Sequence, residues 1–339
     1  MYKQFFQLER NPFEITPDPS FLFPTRRHNE ALAALYYGVE RRKGFVVLSG
    51  EVGTGKTLLV RCLLQLLQRS HIAYAYVFNS RLDGIEFLRY IAADLGLPAA
   101  GKSKGELLLL LTNFLVARYE KKQTTVLVVD EAHHCSAEVL EEIRLLTNLE
   151  TSQDKLLQIL LVGQPELDEK LDSHELRQLK QRVALRSQLK YLSLADASAY
   201  IQKRLELGGA PAEVFTKAFP EETVRVIYRY SGGYPRLINT ICENALINAF
   251  ARQTRVIAPE IIEEVAADLR LDVAPEPAPV RPPTLPLDRL MQAEQVLQQL
   301  QSYLQTLRAS EAAAKSLSSG GFMPEPLKTA PAKPGSVKS

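Results

Sequence analysis

The chain has 339 residues, 46% hydrophobic and 24% charged, with a formal net charge of +2. This length suggests two domains plus extensions, and the near-neutral balance does not mark the whole molecule as an electrostatic binder of nucleic acid or anionic membrane, leaving a local basic patch open. Three cysteines, Cys62, Cys135 and Cys242, lie far apart without C-x-x-C spacing, which argues against a disulfide framework or a zinc site. No apolar run reaches the ~18 residues of a membrane-spanning helix, and Leu107 to Val116 is broken by Thr112-Asn113. The prolines at Pro12, Pro17 and Pro19 interrupt any leader-like pattern, so the expected location is a reducing cytoplasm, with membrane attachment only through a partner.

In chain order, Met1 to Thr25 is rich in Pro and aromatic residues, cannot be one regular helix, and is expected to wrap over the domain after it. A helix is expected from His28 to Arg42, ended by Lys43-Gly44. The apolar run Phe45-Val46-Val47-Leu48 reads as a strand and Leu58 to Leu64 as a helix. Between them stands Gly50-Glu51-Val52-Gly53-Thr54-Gly55-Lys56-Thr57, a G-x-x-x-x-G-K-[ST] loop whose glycines let backbone N–H groups turn toward a polyphosphate, helped by the helix N-terminus. Lys56 would reach the β- and γ-phosphates of a nucleotide, and the Thr57 hydroxyl would ligate Mg²⁺.

Ile72 to Phe78 reads as a second strand, and helical patterns fill Gly84 to Leu95 and Lys104 to Glu120. Thr125 to Val129 is the continuous apolar run of a strand buried on both faces. A helix from Ala137 to Leu149 leads to a strand from Leu156 to Val162. A helix near Leu176 to Val183 then leads to a last strand around Leu189 to Leu192. This alternation predicts an α/β fold, a doubly wound parallel sheet over 28–193 with ligands at the C-terminal strand ends. Residues 194–271 read as a separate all-helical domain. A Pro-rich linker is expected over 272–286, an amphipathic helix with heptad-spaced leucines over 287–317, and a disordered tail over 318–339.

Asp130-Glu131 ends the buried strand. Two carboxylates at the mouth of an apolar sheet are costly unless a cation meets them, so Asp130 is expected to hold Mg²⁺ and Glu131 to orient and deprotonate an attacking water. The alternative is a capping pair for the next helix. Gln164 ends the following strand, where it either meets a phosphate or water or merely turns the chain before Pro165. Arg182 and Arg186 lie four apart and share one face if their helix continues. They are either solvated surface groups or a finger offered to the nucleotide of a neighbouring copy. Arg236, at the helix start after Gly232-Gly233-Tyr234-Pro235, is unfavourable with the helix dipole and implies a facing anion. Adjacent His133 and His134 point to different faces and lack further ligands, against a metal site.

With these motifs and Asn11-Pro12-Phe13, Asp130-Glu131-Ala132-His133, Gly163-Gln164-Pro165 and Gln181-Arg182-Val183 in place, residues 1–271 resemble the AAA+ ATPases of the general secretion pathway protein A (ExeA-like) family. The resemblance implies that Pro12 and Phe13 lie near the adenine, residues 1–27 forming the wrap on that side. It further implies that Gly50 to Leu58 bind ATP, Gln164 takes the sensor 1 position and Arg236 is sensor 2 on the lid. Arg182 or Arg186 is then the finger that acts in trans within a homo-oligomeric ring or filament. Longer family members continue into a transmembrane helix and a peptidoglycan-binding domain, where this sequence has its linker, helix and tail. Two functions are therefore expected as alternatives: an ATP-driven motor or switch for assembly of an envelope system with a membrane protein partner, or a DNA-associated regulator similar to transposition ATPases. A nucleotide-binding adaptor without hydrolysis is disfavoured by the intact Lys56, Asp130 and Glu131.

Overall fold

The structure, a computed structural model, describes residues 2–68, 72–78, 81–274 and 302. The linker, amphipathic helix and tail expected beyond residue 271 fall outside the described residues, apart from 272–274 and 302. The chain runs α1 (Tyr2–Phe5), α2 (Arg26–Glu40), β1 (Phe45–Gly50), α3 (Lys56–Gln68), β2 (Ala73–Val77), α4 (Gly84–Asp94), α5 (Lys104–Glu120), β3 (Thr125–Val129), α6 (Ala137–Leu146), β4 (Leu157–Gly163), α7 (Pro165–Asp172), α8 (Arg177–Lys180) and β5 (Leu185–Leu189). Among the described residues five helices follow: α9 (Leu194–Leu207), α10 (Ala212–Ala218), α11 (Glu221–Ser231), α12 (Pro235–Ala251) and α13 (Pro259–Asp268).

The strands form one parallel sheet in the order β2-β3-β4-β1-β5. Because side chains alternate across a strand, Val46 and Leu48 of β1 join α2 and α3 in one apolar cluster, while Phe45 and Val47 join α4 to α8 in another on the opposite face. Every residue of β1, β3 and β4 is buried, so each apolar side chain there contributes about 1.5–3 kcal/mol relative to exposure. Local signals set the helix starts: Asp83 with Glu86, and Ser103 with Glu106, form complete capping boxes at α4 and α5.

The last strand differs from the expectation. It spans Leu185–Leu189 rather than Leu189 to Leu192, and α8 stops at Lys180. β5 is an edge strand paired only with β1, so its Arg186, Ser187 and Gln188 stay at least partly exposed and its sequence lacks the apolar run of a central strand. Leu192 instead belongs to the apolar cluster of the helical region and its N–H bonds Gly233 O at 2.9 Å. That cluster also takes in Phe6, Leu8 and Phe13, so the N-terminal segment begins on the helical region; Leu22 packs with the sheet.

Candidate functional site

The loop between β1 and α3 is shaped by glycine where the backbone requires it. Gly53 and Gly55 have φ of 80° and 95°, the left-handed region that side chains disfavour. A Cβ on Gly53 would also stand 2.7 Å from Arg236 Cβ, and Arg236 N–H donates to Gly53 O at 3.3 Å. The start of α12 is therefore seated directly on the loop. Lys56 is buried, and its Nζ donates to Gly50 O at 2.6 Å and Glu51 O at 3.0 Å. Burial lowers its pKa, opposed by the carboxylates of Glu131, Asp130, Glu51 and Glu166. Thr54 Oγ1 ties the loop to Glu51 O at 2.8 Å. Underneath, His28 Nε2 meets Thr54 O at 3.1 Å and His28 Nδ1 meets Thr25 Oγ1 at 2.6 Å.

At the ends of β3 and β4 the polar groups converge. Thr57 Oγ1 donates to Asp130 Oδ2 at 3.3 Å, and Tyr76 Oη of β2 donates to the same oxygen at 2.5 Å. Burial first, then the Asp130 carboxylate, pushes the Tyr76 phenol above its usual pKa. Asp130 Oδ1 accepts from Glu131 N–H at 2.9 Å. Glu131 has left-handed φ and ψ of 51° and 36°, a conformation that costs a non-glycine residue about 1–2 kcal/mol and turns the chain out of the strand. Gln164 precedes α7, and its Nε2 lies 3.0 Å from His133 Nε2.

These groups share a cleft of about 480 Å³. Val52, Gly53, Gly55, Lys56, Thr57 and Leu58 line it from the loop, Glu131 and Gln164 from the strand ends, and Arg236 from α12. Gly50, Glu51 and Thr54 complete the loop, and Asp130 is reached through Thr57. The cleft is also lined by residues given no individual role from the sequence, Tyr200 and Arg204 of α9 and Asn239 of α12, and by residues 14–18 of the N-terminal wrap. Arg204 lies over the rings of Phe21 at 4.3 Å and Tyr200 at 5.8 Å. Its Nη2 donates to Glu14 O at 2.8 Å. Tyr200 Oη donates to Asn239 Oδ1 at 2.8 Å. No spacing in the sequence links residues 14, 204 and 239; only the i, i+4 pair Tyr200 and Arg204 carried a local signal.

Pro12 and Phe13 are not among the residues lining the cleft. Asn11 Oδ1 accepts from Phe13 N–H at 2.8 Å, a turn that sends Phe13 into the helical cluster, edge-on to Phe219. Pro12 packs near Gly208, and residues 14–18 take the cleft-facing position instead. Arg182 and Arg186 do not share a helix face either. Arg182 lies beyond the end of α8, while Arg186 lies in β5 and pairs with Asp168 at 3.1 Å and Asp172 at 3.6 Å. Neither lines the cleft.

The donor set fits a magnesium polyphosphate. Thr57 and Asp130 offer hard oxygens side by side, the loop leaves room for no Cβ at Gly53, and Arg204 Nε is a buried donor without a hydrogen-bond partner in the cleft wall. Ile15 and Val52, both exposed, line the same cleft and offer apolar surface to a base.

Residues 39–171 match a family model described as AAA domain. The chain is 45% identical over 258 residues to general secretion pathway protein A of Aeromonas hydrophila, covering 76% of this chain and 46% of the relative. It is 31% identical over 160 residues to the Mu-like prophage FluMu DNA transposition protein B of Haemophilus influenzae, covering 45% and 51%. The chain thus spans about half the length of the curated relatives it matches. The ORC2 protein of Aeropyrum pernix, solved in ADPNP and ADP complexes, shares the fold with a TM-score of 0.59 at 18% identity, over 77% of this chain and 72% of that one.

Proposed function

Because residues 39–171 belong to the AAA domain family and the chain resembles general secretion pathway protein A over 76% of its length, we propose that it binds ATP with Mg²⁺, hydrolyses it, and acts as an oligomeric switch in assembly of a bacterial envelope system. The observation that carries this reading is the meeting of Lys56, Thr57, Glu131, Gln164 and Arg236 in one cleft, drawn from the sheet and the helical region alike.

Backbone N–H groups of the loop and Lys56 bind the phosphates, for which the Lys56 ammonium exchanges its present carbonyl partners. Thr57 and Asp130 would hold Mg²⁺, which when bound neutralises phosphate charge. Glu131 orients and deprotonates the attacking water, and Gln164 holds the phosphate end. Arg236 closes the helical region, residues 194–271, over the nucleotide. Arg182 or Arg186 of a neighbouring copy serves as the finger, consistent with both lying outside their own cleft. Residues 1–27 then act as a strap joining that helical lid to the ATPase domain, residues 28–193. Its site of action is the cytoplasm, beside the membrane through a partner; among the described residues no helix is long and apolar enough to cross a membrane.

Lys56→Ala tests the reading: ATP turnover is expected to collapse, and a wild-type rate would overturn it. The likeness to a DNA transposition protein supports a second reading, a DNA-associated regulator. Particle size of Glu131→Gln with ATP, measured with and without duplex DNA, separates the two. Assembly that needs DNA, and weakens steeply with salt, favours the second.

A further inference from the structure

His133 stands between the two groups that the ATPase reading places at the reacting phosphate. Its ring, only 7% exposed, has Nδ1 at 3.4 Å from Glu131 Oε2 and Nε2 at 3.0 Å from Gln164 Nε2. Its backbone is clamped: Lys170 Nζ of α7 donates to His133 O at 3.0 Å and to Cys135 O at 2.6 Å. A Cβ on Gly163 would stand 3.3 Å from His133 N, so the turn after Glu131 and the end of β4 meet closely. Gln164 begins the same helix that supplies Lys170. The rings of His133 and His134 lie 3.9 Å apart.

We propose that His133 is a positioning residue linking Gln164 to Glu131, so that the carboxylate is steered by the state of Gln164; this rests on the proposed ATPase function. A neutral imidazole donates through one nitrogen and accepts through the other. With the Gln164 amide donating to Nε2, the proton sits on Nδ1, 3.4 Å from Glu131 Oε2, a buried oxygen that has no hydrogen-bond partner and that a small turn of the ring would satisfy. When Gln164 turns toward a phosphate, His133 loses its acceptor bond and Glu131 its tether. The opposite tautomer, with Nδ1 accepting from the Gln164 backbone N–H at 3.4 Å, would present a lone pair to Glu131 and break the link.

The test combines a spectroscopic and a kinetic measurement on the full chain. In protein carrying ¹⁵N-histidine, His133 is expected as the neutral Nδ1–H tautomer, with Nε2 shifting when Mg²⁺ and a non-hydrolysable ATP analogue are added. His133→Ala is expected to lower kcat by about 10- to 10²-fold with KM held, since the cost is misplacement of a reacting group. His133→Asn, whose amide nitrogen replaces Nδ1, recovers most of that loss, whereas His133→Gln, which reproduces Nε2, does not. An Nε2–H tautomer, an unchanged kcat in His133→Ala, or equal losses in the Asn and Ala variants would each overturn the link. A wild-type chain that turns over no ATP sinks the ATPase reading instead, and the tautomer then decides the link by itself.

Discussion

The two walls of the cleft are built on different principles. On the sheet side, groups at the ends of the strands meet within single hydrogen bonds, as in the shared Asp130 Oδ2 of Thr57 and Tyr76, and the glycine loop lines the cleft. On the helical side, the lining residues Tyr200 and Arg204 are backed by stacked side chains: Phe21 has Arg10 over its ring at 4.4 Å and Arg204 at 4.3 Å, with Arg204 reaching on to Tyr200. The first wall presents charge where charge would change, whereas the second presents flat faces and fixed donors that would hold a base. Sheet-wall variants should therefore alter rate at little cost in stability, and lid-wall variants the reverse.

Glu131→Gln gives the largest expected effect. Loss of a general base costs about 10²–10⁴-fold in rate, and because the amide matches the carboxylate in shape, ATP should stay bound and thermal stability should be unchanged. Stopped turnover with retained nucleotide is the result that upholds the division of labour; a parallel loss of ATP binding would break it. Arg204→Ala comes next. It leaves Glu14 O without its donor and removes the cation from between Phe21 and Tyr200, so a loss of about 1–3 kcal/mol in unfolding free energy is expected from denaturant titration. Its kcat at saturating ATP should match wild type, and a lowered kcat with intact stability would show that the walls are not separate. Gly53→Ala probes the seam between them. The left-handed φ costs about 1–2 kcal/mol for alanine, and the new Cβ meets Arg236. ATP affinity should fall about 10-fold, as read by nucleotide titration.

This division also explains what the sequence made legible. Phosphate recognition by backbone needs closely spaced glycines and one lysine, so Gly50 to Thr57 announces itself, and a strand buried on both faces must be apolar throughout its centre, as Val126 to Val129 is. The expected resemblance to general secretion pathway protein A is met by 45% identity over 258 residues, and the expected α/β sheet followed by a helical region is the fold observed. The lid wall joins residues 14, 204 and 239, whose proximity exists only after α9 and α12 pack. Phe13 is placed by a related effect: a turn fixed by Asn11 aims it at Phe219, while the residues just after it face the cleft. Arg186 was misplaced because an edge strand tolerates polar side chains on its open side, and the apolar-run criterion then shifts the strand toward Leu192.

His28 offers the smallest effect and a pH-resolved one. It supports the loop from below, with Nε2 on Thr54 O and Nδ1 on Thr25 Oγ1, and burial holds its pKa below the ordinary histidine range despite the Thr54 carbonyl and Asp196. The unfolded chain therefore takes up a proton on His28 at a pH where the folded chain does not. Stability contributed by this group is full above the ordinary histidine pKa and is lost as pH falls through it toward the lower folded value. Burial lowers the His133 pKa as well, so acidification weakens the fold at both histidines. His28→Gln keeps a donor for Thr54 O while removing one titration. Comparison of melting temperatures at about pH 7.5 and about pH 5.5 should then show a smaller acid-induced drop in the variant than in wild type. Equal drops would mean that His28 does not titrate between the two states, and that the loop rests on α2 through packing instead of through a neutral imidazole.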